Sequence, residues 1–221
     1  MKPLANLSEL RQLYLTGTAV SDAGLNDLVG LEHLETLDLY ETQVTDAGLS
    51  QLARLKRLKS LDLGACDISD AGINELDGLT ALTSLNLFRT NVGDTGVRTL
   101  SKLTTLRSLG LGGTKVTDAG LKDLAKLESL QSLRLYSTDV SNTGLKNLAN
   151  LKNLQDLDLA DTDITDAGLA ELVTLENLIK LDLSDTKVTK SGVETLKMSL
   201  PHCRIYYHEL CPHGARIHAS N

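Results

Sequence analysis

Aromatic side chains are scarce in this chain of 221 residues, which has five Tyr, one Phe and no Trp. Rings bury the largest area per residue, so a conventional core mixing aromatic and aliphatic side chains is excluded. No apolar run approaches the roughly 20 residues needed to cross a bilayer, and no membrane partner is expected. Basic clusters are missing too: 22 Lys and Arg stand against 29 Asp and Glu, a formal charge of −7. A nucleic-acid binder needs a basic face to neutralise phosphates, so nucleic acid is excluded as a partner. Cys66, Cys203 and Cys211 are odd in number, with one far from the other two, which argues against the disulfide framework of a small secreted fold. The start, Met1-Lys2-Pro3-Leu4-Ala5-Asn6, has no apolar signal segment. As it stands the chain reads as cytoplasmic; a fragment of a secreted protein would have left its targeting segment behind.

What the chain has instead is leucine, roughly a fifth of all residues, one apolar type used over and over. Aligned on itself at a period of 24, the sequence gives eight consecutive units from Leu7 to Met198, starting at Leu7, Leu31, Leu55, Leu79, Leu103, Leu127, Leu151 and Leu175. Each unit holds two hydrophobic periods. Leu37-Asp38-Leu39 alternates as a short strand does when one face is buried. Leu49, Leu52, Leu55 and Leu58 recur at spacing three, the stripe of a helical or 3₁₀ segment. No single unit can bury both faces alone. The units must therefore stack, strands pairing into a parallel sheet on the inside of a curve and helical segments lining the outside.

Three further columns are structural. The Thr column (Thr18, Thr42, Thr90, Thr114, Thr138, Thr162, Thr186, with Cys66 the exception) is expected to bond the backbone of neighbouring turns as a ladder along the stack. Ser21, Thr45, Ser69, Thr117, Ser141, Thr165 and Thr189, with Gly93 in the fourth unit, read as helix N-caps, usually followed by an Asp that suits the helix dipole. Glycine fills one column in all eight units, Gly24 to Gly192. Gly inside a helical turn costs about 1 kcal/mol relative to Ala, so the column implies close backbone packing.

The unit LxxLxxLxLxxTxVTDAGLxxLxx, matched nearly throughout by Leu31 to Arg54, resembles the leucine-rich repeat family in its bacterial TDAGL-type variant. It is similar to the cysteine-containing subtype of F-box proteins, with Cys66 where that subtype often has Cys. The likeness covers residues 4 to about 207. It implies an α/β fold, a leucine-rich repeat solenoid bent into an arc whose concave sheet binds other macromolecules. No F-box precedes the repeats, so a ubiquitin-ligase role is analogy alone.

The expected organisation is an incomplete repeat over 1–6, eight repeats over 7–198 and a C-terminal capping strand and tail over 199–221. Leu4-Ala5-Asn6-Leu7 aligns with Leu28-Val29-Gly30-Leu31, so the front half of a first unit is missing. Either the chain is cut from a longer protein or this uncapped end packs against something, self-association included. At the other end Leu200 to Tyr207 reads as a ninth strand, with Cys203 and Ile205 replacing the strand leucines. Zinc held by Cys203, Cys211, His208 and His213, or a Cys203–Cys211 disulfide, competes there with a plain solvated tail. No cofactor or metal is expected.

Function is expected on the concave face. The position just after each strand reads Thr16, Tyr40, Gly64, Phe88, Gly112, Tyr136, Ala160, Ser184 and then Tyr206, with Tyr14 one strand position earlier in the first unit. Strands about 4.8 Å apart would set Tyr40, Phe88 and Tyr136 roughly 10 Å from one another with shallow notches between. Exposed aromatics are common hot spots, although they also lean on neighbouring strands for purely structural reasons. Four rings of roughly 150 Å² each approach the roughly 800 Å² per partner of a standard interface. Arg89, Arg107 and Arg134 lie mid-arc, while Asp156, Asp158, Asp161, Asp182 and Asp185 gather in the last two units, favouring a protein or peptide partner with a basic segment. Calcium is an alternative use of five aspartates. Gly110, Gly112 and Gly113 are expected to leave a dip open to a partner backbone. Their order with Thr114-Lys115 does not match a phosphate loop, and no nucleophile and base lie within reach of each other, so an enzyme is not expected. The expected function is a non-enzymatic protein-interaction module, with a structural spacer or self-assembling segment as the alternative.

Overall fold

Residues 7–210 and 216–220 are described by a computed structural model, with side chains through residue 208. The period-two leucine pairs form strands β1 (Gln12–Tyr14), β2 (Thr36–Asp38), β3 (Ser60–Asp62), β4 (Ser84–Asn86), β5 (Ser108–Gly110), β6 (Ser132–Arg134), β7 (Asp156–Asp158), β8 (Lys180–Leu183) and β9 (Arg204–Leu210). They pair in chain order and in parallel, in one open sheet. Register advances by one repeat each time: Leu13, Leu37, Leu61, Leu85, Leu109, Leu133, Leu157, Leu181 and Ile205 are successive partners. The spacing-three leucines form short helices on the opposite side: α1 (Asp22–Leu25), α2 (Asp46–Leu52), α3 (Asp70–Ile73), α4 (Asp94–Leu100), α5 (Asp118–Leu124), α6 (Asn142–Leu145), α7 (Asp166–Leu172) and α8 (Lys190–Ser199). Between the two layers lies a single, mainly aliphatic core, with Leu31, Leu34, Leu37, Leu39, Leu49 and Leu52 and their equivalents in later repeats almost wholly buried.

The ladder that ties repeats together is made by a different column from the one expected. Each Thr hydroxyl donates within its own repeat, as Thr90 Oγ1 does to the Leu87 carbonyl at 2.7 Å and Thr42 Oγ1 to that of Leu39 at 2.8 Å. Cys66 is the exception in function as well: its thiol reaches back to the Leu39 carbonyl at 3.1 Å. The crosslinks between repeats come instead from the Asp of the TDAGL segment. Asp94 Oδ1 accepts the Thr117 N–H at 2.9 Å and Asp94 Oδ2 the Thr117 hydroxyl at 2.8 Å. Thr117 Oγ1 in turn accepts the Ala119 N–H at 3.2 Å, as the N-cap of α5. The same relay joins Asp22 to Thr45, Asp46 to Ser69, Asp118 to Ser141 and Asp166 to Thr189. Asn142 substitutes its amide toward Thr165.

This relay accounts for the glycine column, which is not a site of backbone-to-backbone approach. A Cβ at any column position from the second repeat on (Gly48, Gly72, Gly96, Gly120, Gly144, Gly168, Gly192) would strike the Asp or Asn side chain of the preceding repeat; at Gly96 the nearest atom, Asp70 Oδ1, would lie 2.6 Å away. Thr-Asp-Ala-Gly is thus one device: the carboxylate caps the next repeat and the next glycine leaves it room.

Each strand ends in a turn whose residue before the Thr column has a left-handed backbone, at Gly17, Glu41, Ala65, Arg89, Gly113, Ser137, Asp161 and Asp185. A side chain there costs roughly 1 kcal/mol. Ala65→Gly is expected to raise stability by about 0.5–1 kcal/mol, since Ala65 has φ 55° and its N–H bond to Phe88 does not involve the side chain. Chemical denaturation measures it.

At the C-terminal end the strand register corrects the expected alignment. Ile205 and Tyr207, not Cys203 and Ile205, take the places of Leu181 and Leu183, and Tyr207 is buried in the core. Tyr206 consequently pairs with Asp182, in the column of Tyr14 and not in that of Tyr40. Beyond it, β10 (Arg216–Ser220) returns antiparallel to β9.

Candidate functional site

Strand residues on either side of the inward leucines face out from the concave sheet, and three rings dominate its middle. Tyr40, Phe88 and Tyr136 do not stand apart with notches between them. The Tyr40 and Phe88 centroids are 6.4 Å apart with planes 9° from parallel, and Phe88 and Tyr136 are 5.4 Å apart at 37°. Glycine makes this closure possible. A Cβ at Gly64 would sit 2.8 Å from the Tyr40 ring, and one at Gly112 would collide with the Tyr136 ring. Tyr40 and Tyr136 therefore lean inward over alternate repeats and meet Phe88 between them. The result is a continuous half-buried aromatic ribbon across β2 to β6.

The dip expected at Gly110, Gly112 and Gly113 is filled in the same way. Asn86 Oδ1 would touch a Cβ at Gly110, the Tyr136 ring covers Gly112, and the Arg89 side chain lies against Gly113. Asn86 was not singled out by its residue type, yet it positions the ribbon. Its Nδ2 donates to both oxygens of Asp62 at 3.0 Å and its Oδ1 accepts the Phe88 N–H at 3.2 Å. Arg89 holds its guanidinium 5.0 Å from the Phe88 centroid, a cation–π contact at the ribbon's rim. Arg134 is exposed one strand position before Tyr136. Tyr14 lies outside the ribbon, 63% exposed, its hydroxyl 3.4 Å from Gln12 Oε1. Tyr206 meets the Lys180 ammonium at 5.8 Å instead of another ring.

The five aspartates separate into two sets. Asp156, Asp158 and Asp182 stand on β7 and β8, with Asp158 directly opposite Asp182. One oxygen of each of the latter two is committed to the fold: Asp158 Oδ1 accepts the Ala160 N–H at 3.1 Å and Asp182 Oδ1 the Ser184 N–H at 3.0 Å. Asp161 and Asp185 occupy the left-handed turns after those strands. They line an open polar groove with Ser137, Asp139, Asp163 and Lys187. Asp161 accepts from the Ser137 hydroxyl at 2.8 Å, and Asp185 lies 3.2 Å from His208 Nδ1. Among the described residues no three His, Cys, Asp or Glu side chains converge as a metal site. Burial pushes the Cys203 thiol up to about 11, which leaves it protonated at neutral pH. Cys211 and His213, the other members of the zinc reading, lie outside the described residues, as does the disulfide to Cys211.

Burial raises the Asp158 carboxyl above the ordinary range, and the charges of Asp182 and Asp156 add to this against the Ala160 N–H and Lys180. Tyr136 is raised as well, by burial first and then by the charge of Asp158. A carboxyl raised by folding favours its protonated form in the native state, so the fold loses stability as pH rises through that range. Asp158→Asn keeps the acceptor for Ala160. It is expected to be more stable by about a few tenths of a kcal/mol at neutral pH, an advantage that vanishes below the carboxylate range. Urea titrations at the two pH values measure the difference.

Known proteins agree with the architecture. A family model described as a leucine-rich repeat region matches residues 1–198. No curated protein matches the sequence significantly. Among solved structures, an internalin of Listeria monocytogenes (inlF) is similar at 26% identity and TM-score 0.68, over 93% of this chain and 63% of that one. Internalin C2 (inlC2) of the same organism gives 29% and 0.71 over 87% and 79%. A leucine-rich repeat protein of Leptospira interrogans gives 26% and 0.73 over 93% and 50%. The chain thus spans less than two thirds of the first and half of the last. Among the described residues no helix is long and apolar enough to cross a membrane. With the family model covering the repeats and the sheet register advancing one repeat at a time, the chain belongs to the leucine-rich repeat proteins.

Proposed function

We propose that this chain is a non-enzymatic binding module that holds a protein or peptide partner on its concave face, over the Tyr40–Phe88–Tyr136 ribbon. The leucine-rich repeat fold is a typical protein-interaction module, and the ribbon is the observation that selects the face. Tyr40, Phe88 and Tyr136 are not part of the buried core of the repeats. The TDAGL-type assignment is supported by the Asp–Gly relay, and the likeness to the cysteine-containing F-box subtype rests on Cys66. The test is titration of a partner, captured on the immobilised chain, against a variant with the three rings removed. Undiminished affinity overturns the reading.

A basic segment of the partner is favoured by Asp158, Asp182, Asp161 and Asp185 beside the ribbon, through steering more than through net affinity. Asp158→Asn with Asp182→Asn is expected to slow association about threefold to tenfold at low salt, with the difference closing at high salt. Equal association rates at low salt would contradict it. Self-association is the second reading, favoured by the exposure of Leu7, ahead of β1, at 48% and of Tyr14, on β1, at 63%, beside an outer edge of β1 that pairs with no strand among the described residues. Concentration-dependent sedimentation, lost on Tyr14→Lys, supports it.

A further inference from the structure

A hollow of about 300 Å³ lies at the C-terminal end of the concave sheet, lined by Ile179, Lys180, His202, Arg204 and Tyr206. Its charge is opposite to that of the neighbouring aspartates. Lys180 and Arg204 are direct cross-strand partners on β8 and β9. Like charges directly opposite each other across a sheet are destabilising. Lys180 divides its charge between Asp156, at 4.0 Å, and the Tyr206 ring, at 5.8 Å. Arg204 is exposed and pairs with no carboxylate among the described residues. Beside the two cations Ile179 is 61% exposed. It stands in a column where the preceding repeats carry polar side chains, from Arg11 to Gln155.

Two cations and an exposed aliphatic side chain in one hollow complement an acid next to an apolar group. We infer that this hollow receives an Asp or Glu side chain of an extended partner segment, its carboxylate between Lys180 and Arg204 and its apolar neighbour on Ile179 and the Tyr206 ring. The guanidinium offers a planar fork that matches two carboxylate oxygens. Lys180 supplies a second cation from the adjacent strand, about 4.8 Å away. A phosphate carries more charge to desolvate against Ile179 and the ring, and fits less well. The hollow rests on residues separate from the aromatic ribbon, so this inference and the ribbon reading stand or fall independently.

The experiment is an amide NMR titration of the full chain with acetyl-Leu-Glu-Leu-amide and, separately, acetyl-Leu-Gln-Leu-amide. The Glu peptide is expected to give saturable shifts at Ile179, Lys180, Arg204 and Tyr206 with millimolar affinity, and the Gln peptide to bind at least about fivefold more weakly. Arg204→Gln should reduce the Glu peptide to the Gln level while leaving the remaining spectrum, and so the fold, unchanged. Lys180→Gln supplies the same test should the Arg204 variant misfold. Equal binding of the two peptides, or no shifts in the hollow up to about 10 mM, overturns the inference. Inorganic phosphate saturating the same amides at lower concentration than the Glu peptide also overturns it. Shifts confined to Tyr40, Phe88 and Tyr136 overturn it while sparing the ribbon.

Discussion

Gly120→Ala is expected to destabilise the chain by about 2–3 kcal/mol, the reverse of what the substitution does in an ordinary helix. Alanine in a helix interior is normally more favourable than glycine by about 1 kcal/mol. Here the new methyl carbon would lie 2.5 Å from Asp94 Oδ1 and 3.1 Å from Val116 Cγ1. The carboxylate must then leave the Thr117 N–H and hydroxyl that it accepts at 2.9 and 2.8 Å. Losing hydrogen bonds to a charged group costs about 1.5–3 kcal/mol each, more than the gain in helix propensity. Because the clash and the bonds share one side chain, Asp94→Ala and Gly120→Ala should be non-additive: the double variant is expected to be little worse than Asp94→Ala alone. Guanidinium denaturation of the four chains measures the cycle, and a stabilising Gly120→Ala would remove the carboxylate relay as the origin of the glycine column.

Replacing Tyr40, Phe88 and Tyr136 together by Ala is expected to weaken partner binding at least about a hundredfold while leaving the fold intact. Hot-spot rings typically cost 2 kcal/mol or more each on truncation, non-additively, so about 3 kcal/mol for the three is conservative. The fold survives because the rings lie outside the leucine core, half-buried against one another and against Gly64 and Gly112. Stacking between them contributes about 0.5–1.5 kcal/mol per pair, so a modest loss of stability accompanies the loss of binding. Calorimetric titration together with thermal melts separates the two.

The repeat, the strand register and the division between leucine core and polar faces were legible in the sequence because each depends on periodicity that every unit restates. What the sequence concealed depends on contacts between columns. Asp46 and Gly48 read as a dipole-friendly acid and a sign of close backbone packing when taken within one unit. Their relation appears only when Asp22 of one repeat is set against Gly48 of the next. Ring spacing failed for a similar reason: strand separation places Cα atoms, but Tyr40 and Tyr136 tilt toward Phe88 because Gly64 and Gly112 leave space beneath them. Tyr206 was misaligned because Pro201-His202-Cys203 departs from the leucine pattern, leaving Ile205 and Tyr207 to continue it. Ile179 carried a readable signal, an aliphatic side chain in a polar column, that core-directed pattern reading passes over.

The partner-binding face is tested most directly by hydroxyl-radical footprinting of the chain with and without its captured partner. Tyr40, Phe88 and Tyr136 lie on the concave face, whereas Met198, on helix α8, is 85% exposed and serves as the reference on the helical side. The partner is expected to protect the three rings from oxidation and to leave Met198 as reactive as in the free chain. Protection of Met198 with the rings still fully reactive would contradict it.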